Sequence, residues 1–224
     1  MAKLEWDQAG ERLFETGVDR GVLFVGDDDG GYEDGVAWNG LTAVNESPTG
    51  GEASKQYADN NPYLNFVSAE EFAGSIEAFT YPDEFEVCQG AVSPLPGMKL
   101  GQQSRKRFGF SYRTKIGNDL VGDTYGYKIH LVYGALATPA EKNHATQNEN
   151  PEAMTLSWNF TTMAEAATIN GVEYKPMAHL EFDSTKLKAG QLEALEKMIY
   201  GDTNAAPTLK TPSEIYTALA AITQ

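Results

Sequence analysis

The sequence predicts a mainly β fold with α, an antiparallel sheet under a helical cover, and three observations carry that reading. First, the stretch Arg105 to Tyr133 alternates strictly: Phe108, Phe110, Tyr112 and Thr114, then Tyr127, Ile129, Leu131 and Tyr133. A turn rich in Gly, Asn and Asp between Gly117 and Gly126 joins the two runs, which gives a long hairpin with one apolar and one polar face. Second, short β-type runs bounded by Gly, Pro, Asn and Asp recur along the chain, with no internal repeat and no compositional break to mark a domain boundary. Third, helical periodicity comes late, in Leu187, Leu192, Leu195, Met198 and Ile199, and stops at Gly201; its apolar stripe is the natural cover for a one-sided sheet.

Taken in order, Leu13 to Val18 and Val22 to Val25 read as strands split by the turn Asp19-Arg20-Gly21. The acidic run Gly26 to Gly35 has the Asp27 and Asp29 spacing of a calcium loop, but Gly31 takes the next ligand position and no bidentate Glu follows, so a solvated hairpin loop is expected. Val36 to Asn39 and Leu41 to Asn45 are strand-like. Asn45 to Tyr63 is a long polar loop of the kind that serves function or orders on a partner. Leu64 to Val67 and Ser75 to Thr80 are strands again. Pro82 with Asp83 and Glu84 opens a short helix that Gly90 ends, with Phe85 and Val87 toward the sheet. Ala91 to Gln103 reads as an irregular connector. Beyond the hairpin, Gly134 to Pro151 is a second polar connection, Ala153 to Thr162 a strand, and Asn170-Gly171 a hairpin turn leading to Val172–Lys175 and Ala178–Phe182. Thr211-Pro212-Ser213-Glu214 has capping-box spacing and starts a last helix.

The net charge of −15 is unevenly spread: nineteen acids and four cations precede Lys99, whereas Lys99 to Lys128 carries seven cations and two acids. An acidic and a basic part of one chain can complement each other within a fold or between copies. No apolar run approaches the ~20 residues of a membrane span, so no membrane insertion is expected. The single Cys88 allows no internal disulfide and reads as a small buried hydrophobe.

Signatures of catalysis are absent: no nucleophile elbow, no phosphate-binding loop, no His-Glu-x-x-His and no cysteine pair. His130, His144 and His179 read as isolated packing or surface residues, His130 on the polar face of the hairpin. A glycosidase-like carboxylate pair, such as Glu77 with Glu181, needs no sequence motif and stays open. No enzyme, cofactor or metal is expected.

The runs GVAWNGLTAVNESPTGGEASKQYADN and SAEEFAGSIEAFTYPDEFEVCQG and the block Gly101 to Thr162 resemble the major tail proteins, or tail tube proteins, of long-tailed non-contractile phages (siphophages) and related prophages. The likeness covers roughly Leu4 to Tyr200 and is most specific at Tyr57-Ala58-Asp59-Asn60, Tyr81-Pro82-Asp83-Glu84-Phe85 and Gly101 to Gly134. It implies two packed antiparallel β-sheets, sandwich- or barrel-like, flanked by an α-helix, with long loops. It also implies a single tail tube domain over residues 1–224 without a separate C-terminal immunoglobulin-like domain. Such proteins form rings of six that stack into the tail tube, a virion component synthesised in the bacterial cytoplasm. The implied partners are further copies of the chain, a tape measure protein, and tail tip and terminator proteins, with transient, non-specific passage of duplex DNA. Tyr57, Asp59, Asn60, Arg105, Arg107, Arg113 and Lys115 are the candidate inter-subunit contacts. The alternative is a soluble β-sandwich module binding a ligand or carbohydrate through aromatics such as Trp38 or Tyr63.

Overall fold

The computed structural model describes residues 3–144, 146 and 153–222. Strands take 49% of the chain and helices 13%, so the protein is mainly β. The first strands are β1 (Leu13–Val25), β2 (Val36–Trp38) and β3 (Leu41–Glu46). Four more follow, β4 (Thr49–Gly50), β5 (Ala53–Ala58), β6 (Asn61–Val67) and β7 (Glu70–Glu71), and then β8 (Ala73–Ala78). Helix α1 (Glu86–Gln89) extends a 3-10 turn and ends on Gly90 in the left-handed region, as its sequence predicts. The expected connector after it instead contains a small hairpin, β9 (Val92–Leu95) with β10 (Met98–Leu100). Next come the central strands β11 (Phe108–Asn118) and β12 (Gly122–Ala137), then β13 (Leu156–Thr162), β14 (Glu165–Ile169), β15 (Val172–Met177) and β16 (His179–Asp183). Helices α2 (Ala189–Tyr200) and α3 (Pro212–Ala220) close the chain, α3 with the capping box of Thr211 and Glu214. Part of the second polar connection, residues 145 and 147–151, lies outside the described residues.

The main sheet is wholly antiparallel, ordered β2-β1-β11-β12-β13-β8-β3, with β16 also paired to β12. Its two ends, β2 and β3, are consecutive in the chain and linked by Asn39 and Gly40 alone. The sheet therefore curls until its ends meet: Trp38 of β2 lies against Phe110 of β11 and Trp158 of β13. Where the resemblance implies two packed sheets, the main sheet is one hydrogen-bonded sheet curled on itself. β1 is likewise one strand where two were expected. It absorbs Gly17 (φ 66°) and Arg20 (φ 50°) as irregularities in its pairing with β11 instead of turning.

β12 makes the curl possible. One edge runs along β11, while the other pairs first with β16 (Lys128 to Val132) and then with β13 (Ala135 to Ala137). The exchange falls at Gly134, the extra residue of a bulge opposite Gly109, at φ 58° and with its N–H donating to the Tyr32 hydroxyl at 2.9 Å. A Cβ there would sit 2.4 Å from the Met163 carbonyl oxygen, so only glycine fits.

The expectation of one polar face does not hold. Register places Tyr112 opposite His130 and Ser111 opposite Leu131, so the aromatics of β11 and the aliphatics of β12 lie on opposite faces, and both faces are buried. Inside the curl, Leu23, Phe108, Phe110, Val132, Trp158 and Phe160 pack with Trp38 and with Phe85 of the α1 segment. On the outer face Phe24, Ile129, Leu131 and Tyr133 pack under Leu195 and Ile199 of α2 and Ile215 and Leu219 of α3. The helical cover predicted for one face exists; the second face is covered by the sheet itself.

Candidate functional site

Between Leu41 and Ala78 the chain forms one nested ribbon: β3 pairs β8, β4 pairs β7, and β5 pairs β6. Only its base belongs to the main sheet. At its tip Asp59 (φ 52°) and Asn60 (φ 63°) both occupy the left-handed region, the turn that matches strand twist, and the Asn61 side-chain Nδ2 donates to the Asp59 carbonyl at 3.1 Å. The long polar loop expected here is therefore an ordered hairpin arm. At about 3.3 Å per residue, Glu46 to Asn60 can reach roughly 45 Å.

Every residue of β5 and β6 is exposed, including Tyr57, Tyr63, Leu64, Phe66 and Val67. Two-stranded hairpins without a packed face are marginal in water, and exposed apolar groups of this size mark surfaces that meet another molecule. Leu95 and Met98 on β9–β10, Leu120 and Val121 at the central hairpin turn, and Tyr174 on β15 are exposed in the same way. The sheet also has open edges: among the described residues, Leu13 to Arg20 of β1 pairs only with β11, and β16 only with β12.

The candidate contact residues divide into two groups. Tyr57, Asp59 and Asn60 sit at the arm tip and Arg107 is exposed. Arg113 instead pairs both ends of its guanidinium with Asp19 (2.6 and 2.7 Å) and lies over the Tyr127 ring, holding the Asp19 carboxyl below its ordinary range chiefly through that hydrogen bond. Lys115 bonds Asp123 at 3.1 Å, and the Arg105 guanidinium donates to the Ala137 carbonyl at 2.5 Å. Lys99 pairs with buried Glu86, and Lys128 with Glu15 and Glu181. The basic segment thus meets much of its acidic complement inside its own chain.

Two of the three histidines are not isolated. His130 is buried on the inner face of the sheet, stacked on Tyr112, and its Nδ1 lies 3.2 Å from His179 Nε2. Glu46 Oε1 approaches both rings, at 3.6 and 3.9 Å, and accepts a hydrogen bond from the Tyr112 hydroxyl at 2.5 Å. Burial lowers both histidine pKa values, keeping the rings neutral. These residues are far apart in sequence, and no local spacing announces them; only the β12–β16 register unites the two rings. His144 is exposed.

The alternative sites fare differently. Trp38 is 2% exposed and its indole N–H donates to the Thr80 carbonyl, so it offers no ring face to a sugar; Tyr63 is exposed on the arm. Glu77 accepts from Asn45 and Glu181 from Lys128. In the acidic loop Asp27 Oδ1 accepts from the Asp29 and Gly31 N–H groups, closing the loop as a turn. Cys88 is buried and its thiol is pushed up to about 12. Neither a protein family nor a curated protein matches this sequence.

Proposed function

We propose that the chain is a structural subunit that assembles with copies of itself into stacked rings, the tail tube of a phage or related prophage, through which DNA is delivered. The observation that carries this reading is the exposed arm Thr49 to Glu71, whose apolar side chains have no cover in the monomer. An arm of that length suits a grip on the next ring. The open edges of β1 and β16 suit strand pairing around a ring, which turns an aggregation liability into a closed interface. Tyr57, Asp59, Asn60 and Arg107 are the contact residues the arm and surface offer most directly. Cations already paired internally leave an acidic excess, and acidic residues predominate on the lumen in this reading. Phosphate contacts bind DNA strongly, so an acidic wall lets the duplex slide.

Negative-stain electron microscopy of the purified chain over a concentration series, with and without a tail-tip complex as seed, tests it. Rings or hollow tubes are expected. A chain that stays monomeric even when seeded overturns the reading.

A further inference from the structure

Three strands bring His130 Nδ1, His179 Nε2 and Glu46 Oε1 into a triangle with sides of 3.2, 3.6 and 3.9 Å. A point equidistant from those corners lies about 2.1 Å from each, the bond length of zinc to imidazole nitrogen and carboxylate oxygen. We propose that Glu46, His130 and His179 form a binding site for a divalent transition metal of the zinc class, with solvent completing its coordination. This inference is independent of the assembly reading.

The surroundings are those of a ligand set. The second nitrogen of His130, Nε2, lies 3.0 Å from Thr114 Oγ1, a hydroxyl able to accept its proton, and in that tautomer Nδ1 is free to coordinate. The Tyr112 hydroxyl donates to Glu46 Oε1, the same oxygen that faces the two rings, and holds it in place. Phe72 stacks on the His179 ring and Tyr112 on the His130 ring, at interplanar angles of 7° and 2°, so both imidazoles are restrained. The Glu46 carboxylate supplies an anionic oxygen beside the two imidazoles, while nearby Glu15 and Glu181 pair with Lys128. The ion takes the place of the proton between His130 Nδ1 and His179 Nε2. Because Glu46 ends β3 while His130 and His179 belong to the β12–β16 pair, the metal ties the last strand of the sheet to its middle.

The test uses the full chain without a histidine tag, stripped with chelator and titrated with zinc by calorimetry, with cobalt absorption as a second readout. One ion per chain and a raised melting temperature are expected. His179→Gln and Glu46→Gln are each expected to weaken zinc binding at least tenfold and to abolish the cobalt bands. Absence of stoichiometric binding at 100-fold excess of zinc overturns the proposal, as does undiminished binding by both variants, which would put the metal elsewhere, such as Asp27 to Asp29. Should a variant fail to fold, zinc-edge X-ray absorption of the wild type decides: two imidazole ligands support the site, and fewer than two overturn it.

Discussion

Phe66→Ser separates assembly from folding. Phe66 stands on β6 opposite Ser54, 57% exposed and outside both cores. An aromatic side chain presents up to about 200 Å². A little over half of that, roughly 110 Å², is available to a neighbouring copy, which at about 25 cal/mol per Å² is worth 2–3 kcal/mol per contact. Since about 1.4 kcal/mol is a factor of ten, the concentration at which rings or tubes form rises roughly 30- to 150-fold in the variant. The monomer loses nothing it uses, so its melting temperature stays within about 2 °C of wild type. Sedimentation velocity over a dilution series gives the first quantity and circular dichroism the second. Assembly of Phe66→Ser at the wild-type concentration refutes the arm as an assembly surface. A variant that assembles poorly but also melts early shows that Phe66 belongs to the monomer's fold.

Three further outcomes follow from the fold. Trp38→Ala removes the ring that joins Phe85, Phe110 and Trp158 and also leaves the Thr80 carbonyl without its donor; urea unfolding is expected to show a loss of about 3–5 kcal/mol, and a loss below 1 kcal/mol contradicts a closed inner core. Gly134→Ala puts a Cβ against the Met163 carbonyl in a left-handed conformation and should cost more than about 2 kcal/mol, while Gly171→Ala, which meets nothing within 4 Å, should cost only the conformational strain of about 1–2 kcal/mol; equal melting temperatures would contradict the close approach at Gly134. Asp19 has its folded pKa depressed by Arg113, so the pair's contribution is present above the unfolded value of 3.8 and is lost as pH falls below it. With a third of the Asp19 side chain exposed, the contribution is about 1 kcal/mol, and the stability difference between wild type and Asp19→Asn should hold from pH 7 to 5 and close below pH 4; a gap that persists at pH 2.5 contradicts the ion pair as its source.

Local chemistry announced the elements that depend on it. The α1 stop at Gly90, the capping box at Thr211 and Glu214 and the Asn170-Gly171 turn are short-range signals, and each stands where the sequence puts it. The arm reads as a long polar loop from Asn45 to Tyr63, with only Leu64 to Val67 as strand, because the flanks of the Asp59-Asn60 turn lack the alternating aliphatic residues of a packed strand. The second buried face escaped the sequence for another reason. Whether Phe110 and Leu131 share a face depends on the β11–β12 register, which shifts at two irregularities, between Phe108 and Phe110 and between Ile116 and Asn118. The same dependence hides the Glu46, His130 and His179 cluster. β-structure joins residues distant in sequence, and the joining is decided by pairing that no window of neighbouring residues contains.

The nested ribbon has a consequence for how such a chain can change. Both of its strands leave the main sheet and return to it as neighbours, so residues added in opposed pairs near Asp59-Asn60 lengthen it without moving any atom of the base. Additions of two per strand keep each side chain on its original face. Reach is thereby uncoupled from the core, and a lineage or an engineer can retune the spacing between neighbours, or graft a foreign peptide at the tip, while Trp38, Trp158 and their surroundings remain as they are.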